Sequence, residues 1–328
     1  MNQKVSAKPS GNPQQNQRTK EGFHPDRPGR FSGCLSGRFS GVKPDMPERD
    51  FSILLCLRDH VVLTARQVSL LVDCPSEDAG YRRCFNLLSR GLLERIQLFP
   101  PGPGRPEFMY FLSSRGINYV RAFTLDKGRS RPPRINSAFS LVHVKNLNDF
   151  WLSLKLACRA YGVVLVGFVP EFAPGLDRGQ KATCLEVVNP RANQKFHLIP
   201  DAVFAIEGSQ SIRLFALEID LSTGKIQSRT YKSFISQVIK YIWCRQSGAF
   251  KAQAYEEYFG DRIKDFQALY VTTTTARIDR YRNALSALGD LMRFVQFTTF
   301  DQIAPDRILG EIWRSSNVND KNLYSLID

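Results

Sequence analysis

Residues 197–220, HLIPDAVFAIEGSQSIRLFALEID, limit the fold more than any other stretch of the chain. IPDAVFAI and RLFALEID are apolar runs of strand length, and EGSQS between them supplies the Gly and Ser of a reversal. A turn centred between Ser209 and Gln210 leaves Asp201 and Glu218 equally far from it, so the two become cross-strand neighbours. Glu218 and Asp220 stand two apart and share a strand face, while Leu217 and Ile219 point into a core. Three carboxylates then converge on one patch beside an apolar sheet. Such a patch repels itself unless a cation sits in it, and hard divalent ions prefer oxygen ligands. The plainer alternative is a set of solvated strand carboxylates or partners of nearby arginines.

Upstream, residues 49–126 alternate helical and strand patterns. RDFSILLCLRDH carries apolar residues at helical spacing, and Thr64 is placed to cap a second helix, ARQVSLLV. SEDAGYRRCFNLLSRG gives a third helix closed by Gly91. LLERIQLF and EFMYFL follow as strands around PPGPGRP, and SSRGINYVRAF makes a fourth helix. Three helices, a hairpin and a helix form the order of a winged helix-turn-helix. Its third helix would enter a major groove, with Tyr81, Arg82, Arg83 and Asn86 as polar contacts. Arg105, at the tip of the turn, would reach a phosphate or the minor groove. The competing reading is a winged helix that contacts protein, with these side chains merely solvated.

Residues 1–48 are rich in Gly, Pro, Ser, Asn and Gln with scattered basic residues, and carry GRFSG twice. They read as a disordered basic tail. KGRSRPPRIN, containing residues 127–136, reads as a linker. The remainder, 137–328, alternates helix, strand, hairpin, helix, strand and helix, a mixed α/β sandwich. Within it, SAFSLVHVKNLNDFWLSLKLACRAYG is a long helix bearing His143 near its apolar stripe, where a packed histidine is commoner than a catalytic one. Glu171 ends the strand VVLVGFVPEF as a candidate fourth carboxylate, though an exposed strand terminus explains it as well. On the helix after the acidic hairpin, Gln237 and Tyr241 share a face, with Lys240 beside them. RFVQFTTFDQI reads as the last strand.

The 45 basic against 31 acidic residues leave a formal charge of +14, which favours a polyanionic partner, most simply double-stranded DNA. No long basic amphipathic helix supports a membrane surface. Seven cysteines without a CxxC pair suggest reduced core thiols, neither a disulfide framework nor a zinc site. The longest apolar run, near residues 163–169, is too short to span a bilayer, and no secretion signal opens the chain. A cytoplasmic protein is expected.

Pro200-Asp201, Glu218 and the Gln237-to-Tyr241 spacing together resemble the PD-(D/E)xK nuclease fold, with the QxxxY of its RecB-like branch. Over residues 50–315 the chain is also similar to the replication-relaxation family of plasmids and other mobile elements. There a winged helix precedes PDA, an LEID-like strand, a K…Y helix and an ending matched here by Phe297 to Phe300 and Ile312-Trp313. The resemblance implies an α+β protein: an N-terminal winged helix-turn-helix, then an α/β/α restriction-endonuclease-like domain with a mixed sheet. It implies DNA handling in replication, relaxation or mobilisation. If the domain is catalytic, Mg2+ or Mn2+ on Asp201, Glu218 and Asp220 would support phosphodiester hydrolysis, with Gln237 and Tyr241 completing the site. The departure is Asp220, which stands where the nuclease motif has lysine. Lys240, or Lys232, supplies the missing charge; or Asp220 holds a second metal; or the site is inactive and grips DNA. In the alternative function, a non-catalytic regulator uses this domain as a DNA clamp, a homodimer interface or a platform for other plasmid-transfer or replication proteins.

Overall fold

A computed structural model describes residues 44–98, 107–124, 138–173, 181–208, 211–222, 226, 233–251 and 253–327. Most of the basic tail, Arg105, the linker, Lys232 and the centre of the acidic hairpin's turn lie outside these residues.

The first elements are α1 (Glu48–His60), β1 (Leu63–Thr64), α2 (Ala65–Leu71) and α3 (Glu77–Ser89), then β2 (Leu93–Gln97), β3 (Phe108–Leu112) and α4 (Ser114–Phe123). Local chemistry sets their ends. Thr64 accepts from the Gln67 N–H while the Gln67 side chain accepts from the Thr64 N–H, a reciprocal cap on α2. Ser76 caps α3 with one bond, accepting from the Ala79 N–H, and Gly91, at φ +69°, lets the chain leave α3 in the left-handed region. The three strands form an antiparallel sheet in the order β1-β3-β2. α2 and α3 cross at Gly80, where a Cβ would lie 2.5 Å from the carbonyl oxygen of Ala65.

The rest is built on a seven-stranded mixed sheet. α5 (Ala138–Tyr161) leads into β4 (Leu165–Pro170), β5 (Leu185–Asn189), β6 (Gln194–Leu198), β7 (Ala202–Glu207) and β8 (Ile212–Asp220). Then follow α6 (Phe234–Ser247), α7 (Gln253–Phe259), β9 (Ile263–Thr272), α8 (Thr275–Leu285), β10 (Val295–Thr299), β11 (Trp313–Ser315) and β12 (Leu323–Tyr324). The sheet order is β12-β11-β10-β9-β8-β7-β4, parallel across β8-β9-β10 and antiparallel elsewhere. Alternate residues of β7 and β8 face opposite ways, and both ways are buried. Phe204, Phe215, Leu217 and Ile219 meet Phe150 and Trp151 of α5 in one core. Val203, Ala205, Leu214 and Ala216 meet Val238 and Tyr241 of α6 and Ile278 of α8 in the other. Burial on both faces explains the near-continuous apolar runs of this hairpin.

Three features depart from the sequence expectation. β5 and β6 form a separate two-stranded hairpin, and α7 a short helix, where no element is expected. β10 is not the last strand, because β11 and β12 extend the sheet edge beyond it. Those strands, of 3 and 2 residues, are too short to show a period.

α5 also packs against the first elements. Asn148 donates to the carbonyls of His60 and Val62, and the Gln67 side chain donates to Asp149 Oδ1 and the Lys145 carbonyl. The His60 ring stacks on Trp151 at 3.5 Å between centroids. Burial first, and Lys155 second, hold the His60 imidazole down at about 3, so it stacks as a neutral ring. No disulfide joins the described cysteines; Cys56, Cys84, Cys158 and Cys244 are buried thiols. Among the described residues no helix is long and apolar enough to cross a membrane.

Candidate functional site

The register of the acidic hairpin puts Ala202 opposite Leu217, so Asp201 and Glu218 come next in the series, as the turn symmetry predicts. Asp201 sits just before β7. Its backbone N–H donates to the Leu217 carbonyl, and its Oδ2 accepts from the Ile219 N–H at 2.7 Å. These two bonds fix the carboxylate at the end of the ladder. Its other oxygen, Oδ1, lies 3.2 Å from Nε2 of His143 on α5. The Glu171 N–H, from the end of β4, donates to the Asp201 carbonyl.

His143, Glu171 and Asp201 therefore converge, each offering one ligand atom, with all three atoms within 4.8 Å of one another. Burial of His143 opposes its charged form, but the hydrogen bond to Asp201 and the charges of Asp201 and Glu171 outweigh it and raise its pKa. Lys181 donates to Glu171 Oε2 at 2.7 Å. The set supplies one nitrogen and two carboxylate oxygens, with His143 paired to Asp201 and Lys181 paired to Glu171.

Glu218 is buried beside this set. Its Oε1 accepts a short hydrogen bond from the Tyr241 hydroxyl, and the Gln237 side chain bonds to it as well. α6 presents both partners on one face, as the spacing of four implies. Burial first, then the neighbouring Asp201, push the Glu218 pKa well above the ordinary carboxylate range, against those two hydrogen bonds.

Asp220 has a different setting. Its Oδ2 accepts from Thr272 Oγ1 at 2.7 Å, from the Tyr281 hydroxyl at 2.7 Å and from Arg277 Nε at 3.2 Å. Its Oδ1 accepts from the Ser222 N–H. The expected trio of Asp201, Glu218 and Asp220 is thus not the set that gathers. Among the described residues, the group with mutually close ligand atoms takes His143 and Glu171 alongside Asp201. Asp220 is committed instead to Arg277 of α8. Lys240 lies elsewhere too: its Nζ donates to the His197 carbonyl at 3.3 Å and sits over the Phe196 ring. Both of those residues belong to the unread hairpin β5-β6.

On α3, Arg82 and Asn86 are exposed and Tyr81 is half-buried, stacked on Phe85. Arg83 is turned inward, bonded to Asp50 of α1 at 2.6 Å, so it ties two helices together. Phe85, which sequence reasoning passed over, is 51% exposed on the same helix.

A family model described as replication-relaxation matches residues 54–257, well over half of the chain. The chain belongs to the replication-relaxation family. The matched span of this replication-relaxation protein contains α3, His143, Glu171, Asp201, Glu218, Gln237 and Tyr241, whereas Arg277 and Tyr281 lie beyond it. Two solved structures are similar to it. One is restriction endonuclease FokI, at 11% identity over 78% of this chain and 42% of that chain, with a TM-score of 0.27. The other is FokI bound to DNA, at 10% identity over 80% of this chain and 45% of that chain, with a TM-score of 0.27. The replication-relaxation chain spans less than half the length of either structure. No curated protein matches it significantly.

Proposed function

We propose that this replication-relaxation protein binds double-stranded DNA through α3 and hydrolyses a phosphodiester bond at a divalent-metal site. The observation that carries the reading is the convergence of His143, Glu171 and Asp201 beside a buried Glu218 held by Gln237 and Tyr241. Among these groups Glu171, Asp201 and Glu218 are like-charged carboxylates, which a cation stabilises, and a perturbed cluster of this kind is a functional-site signature. His143, Glu171 and Asp201 would hold the ion, with Glu218 next to it. The ion would polarise a phosphate oxygen and lower the pKa of a bound water. The mixed nitrogen and oxygen donor set favours Mn2+ over Mg2+.

The order of α1, β1, α2, α3, β2, β3 and α4 supports a winged helix, and α3 would then lie in the major groove. Arg82 and Asn86 are the exposed polar residues suited to base edges or phosphates. The surplus of basic residues supplies the sequence-independent part of the affinity. A specific observation favours a second reading, a non-catalytic DNA clamp: the motif lysine is absent, and Asp220 in its place is neutralised by Arg277.

Nicking of supercoiled plasmid with Mn2+ tests the choice, comparing wild type with His143→Ala and Glu218→Ala. The nuclease reading expects cleavage by wild type and loss of at least about 100-fold in both variants, with gel-shift affinity for DNA retained. DNA binding without cleavage by wild type would leave the clamp.

A further inference from the structure

Three buried tyrosines surround the carboxylates of β8 on one face of the sheet, and two of them are already engaged. Tyr241 donates to Glu218, and Tyr281 donates to Asp220. The third, Tyr270, is a β9 residue paired in register with Glu218, so the two side chains leave adjacent strands on the same face. Phe234, Tyr241, Tyr281 and Phe297 wall its ring, with centroids 5.1, 6.5, 6.3 and 5.7 Å away. Tyr270 is 2% exposed, and its hydroxyl finds no hydrogen-bond partner among the described residues.

A buried hydroxyl without a partner costs about 1–3 kcal/mol, and phenylalanine would fill the same wall without that cost. The hydroxyl needs an acceptor that comes with the working site. Tyr241 and Gln237 donate to Glu218, while the Tyr270 hydroxyl reaches none of the acceptors on this face, so an oxygen brought in beside these carboxylates would supply what it lacks. We propose that Tyr270 is a positioning residue whose hydroxyl holds the metal-bound water of the His143–Glu171–Asp201 site next to Glu218. This rests on the metal-dependent reading above. Burial first, then Glu218, raise the Tyr270 pKa well above the ordinary phenol range, so the group is a hydrogen-bond donor and not a base. It orients the oxygen of the water, and it takes no proton from it.

Tyr270→Phe in the full chain, with Mn2+ as the probe, tests this through three readouts. Mn2+ affinity is measured by calorimetry, residence of the Mn2+-bound water by water-proton relaxation dispersion, and plasmid nicking as kcat and KM separately. The proposal expects native-like melting, little change in Mn2+ affinity, a shorter water residence time, and kcat lower by about 10–100-fold at unchanged KM. Tyr281→Phe, which loosens only the Asp220 cluster, should leave the water residence time at the wild-type value. An unchanged kcat and residence time in Tyr270→Phe overturns the role of Tyr270 while leaving the nuclease reading intact. If wild type binds Mn2+ but does not cut, the nuclease reading fails. The residence time then decides for Tyr270, shorter in the variant upholding it and unchanged overturning it. Absence of Mn2+ binding by wild type overturns both.

Discussion

Burial takes Glu218 out of water while Asp201 stands beside it, and both effects favour its protonated form. A carboxyl whose pKa is raised on folding binds its proton more tightly in the native state. It therefore costs nothing below its unfolded value of 4.5, and destabilises progressively as the pH climbs from there through the folded value. Glu218→Gln keeps the shape and removes the charge. The metal-free variant should melt several degrees above wild type at pH 8, with the difference vanishing near pH 4. Thermal melts in EDTA across that range check it; equal melting temperatures at pH 8 would mean that Glu218 is not the strained group. At this scale the Asp201–Glu218 pair was legible, because strand period and turn symmetry alone determine which residues face each other. His143 was not, since a polar residue near an apolar helical stripe does not reveal which loop it will meet. For Asp220 the sequence left a metal ligand and an arginine partner both open, because the partners found, Arg277 and Tyr281, are more than fifty residues away.

At the scale of elements, helix ends follow side-chain chemistry that any reader can see. Thr64 and Gly91 stand where caps were expected, because each acts on backbone within a few residues of itself. The hairpin β5-β6 carried a signal too, in the alternation of LEVVN and QKFHL around a polar turn. Lys240 could not be placed until that hairpin was, because its contacts lie there. Crossings between helices are harder to foresee. Gly80 admits the backbone of α2 so closely that an added methyl would strike the Ala65 carbonyl oxygen at 2.5 Å and Ser69 Cβ at 2.9 Å. Neither contact is the end of a flexible side chain, so Gly80→Ala should cost about 3 kcal/mol. Urea denaturation measures it, and a cost below about 1 kcal/mol would mean that α2 and α3 move apart freely.

Over the whole molecule, α5 joins the first elements to the seven-stranded sheet. Its His143 reaches the candidate metal site, and within two turns Asn148, Asp149 and Trp151 hold β1, α2 and the end of α1. One apolar core includes Ile53, Val68 and Leu87 together with Phe150, Phe204 and Phe215. Unfolding should accordingly be a single transition, with circular dichroism and tryptophan fluorescence giving coincident curves. Two separated transitions would show that the core divides.

The same helix restricts how the DNA reader proposed above could change its target. A DNA reader tethered by a loose peptide can be exchanged for another like a cassette, because nothing but the tether has to match. Here a donor segment replacing residues 44–124 would have to present carbonyls to Asn148, an aromatic plate to Trp151 and an amide to Asp149. Under the DNA-reading role proposed above, new sequence preferences would be reached by altering the exposed face of α3 in place, one side chain at a time, and not by swapping the segment.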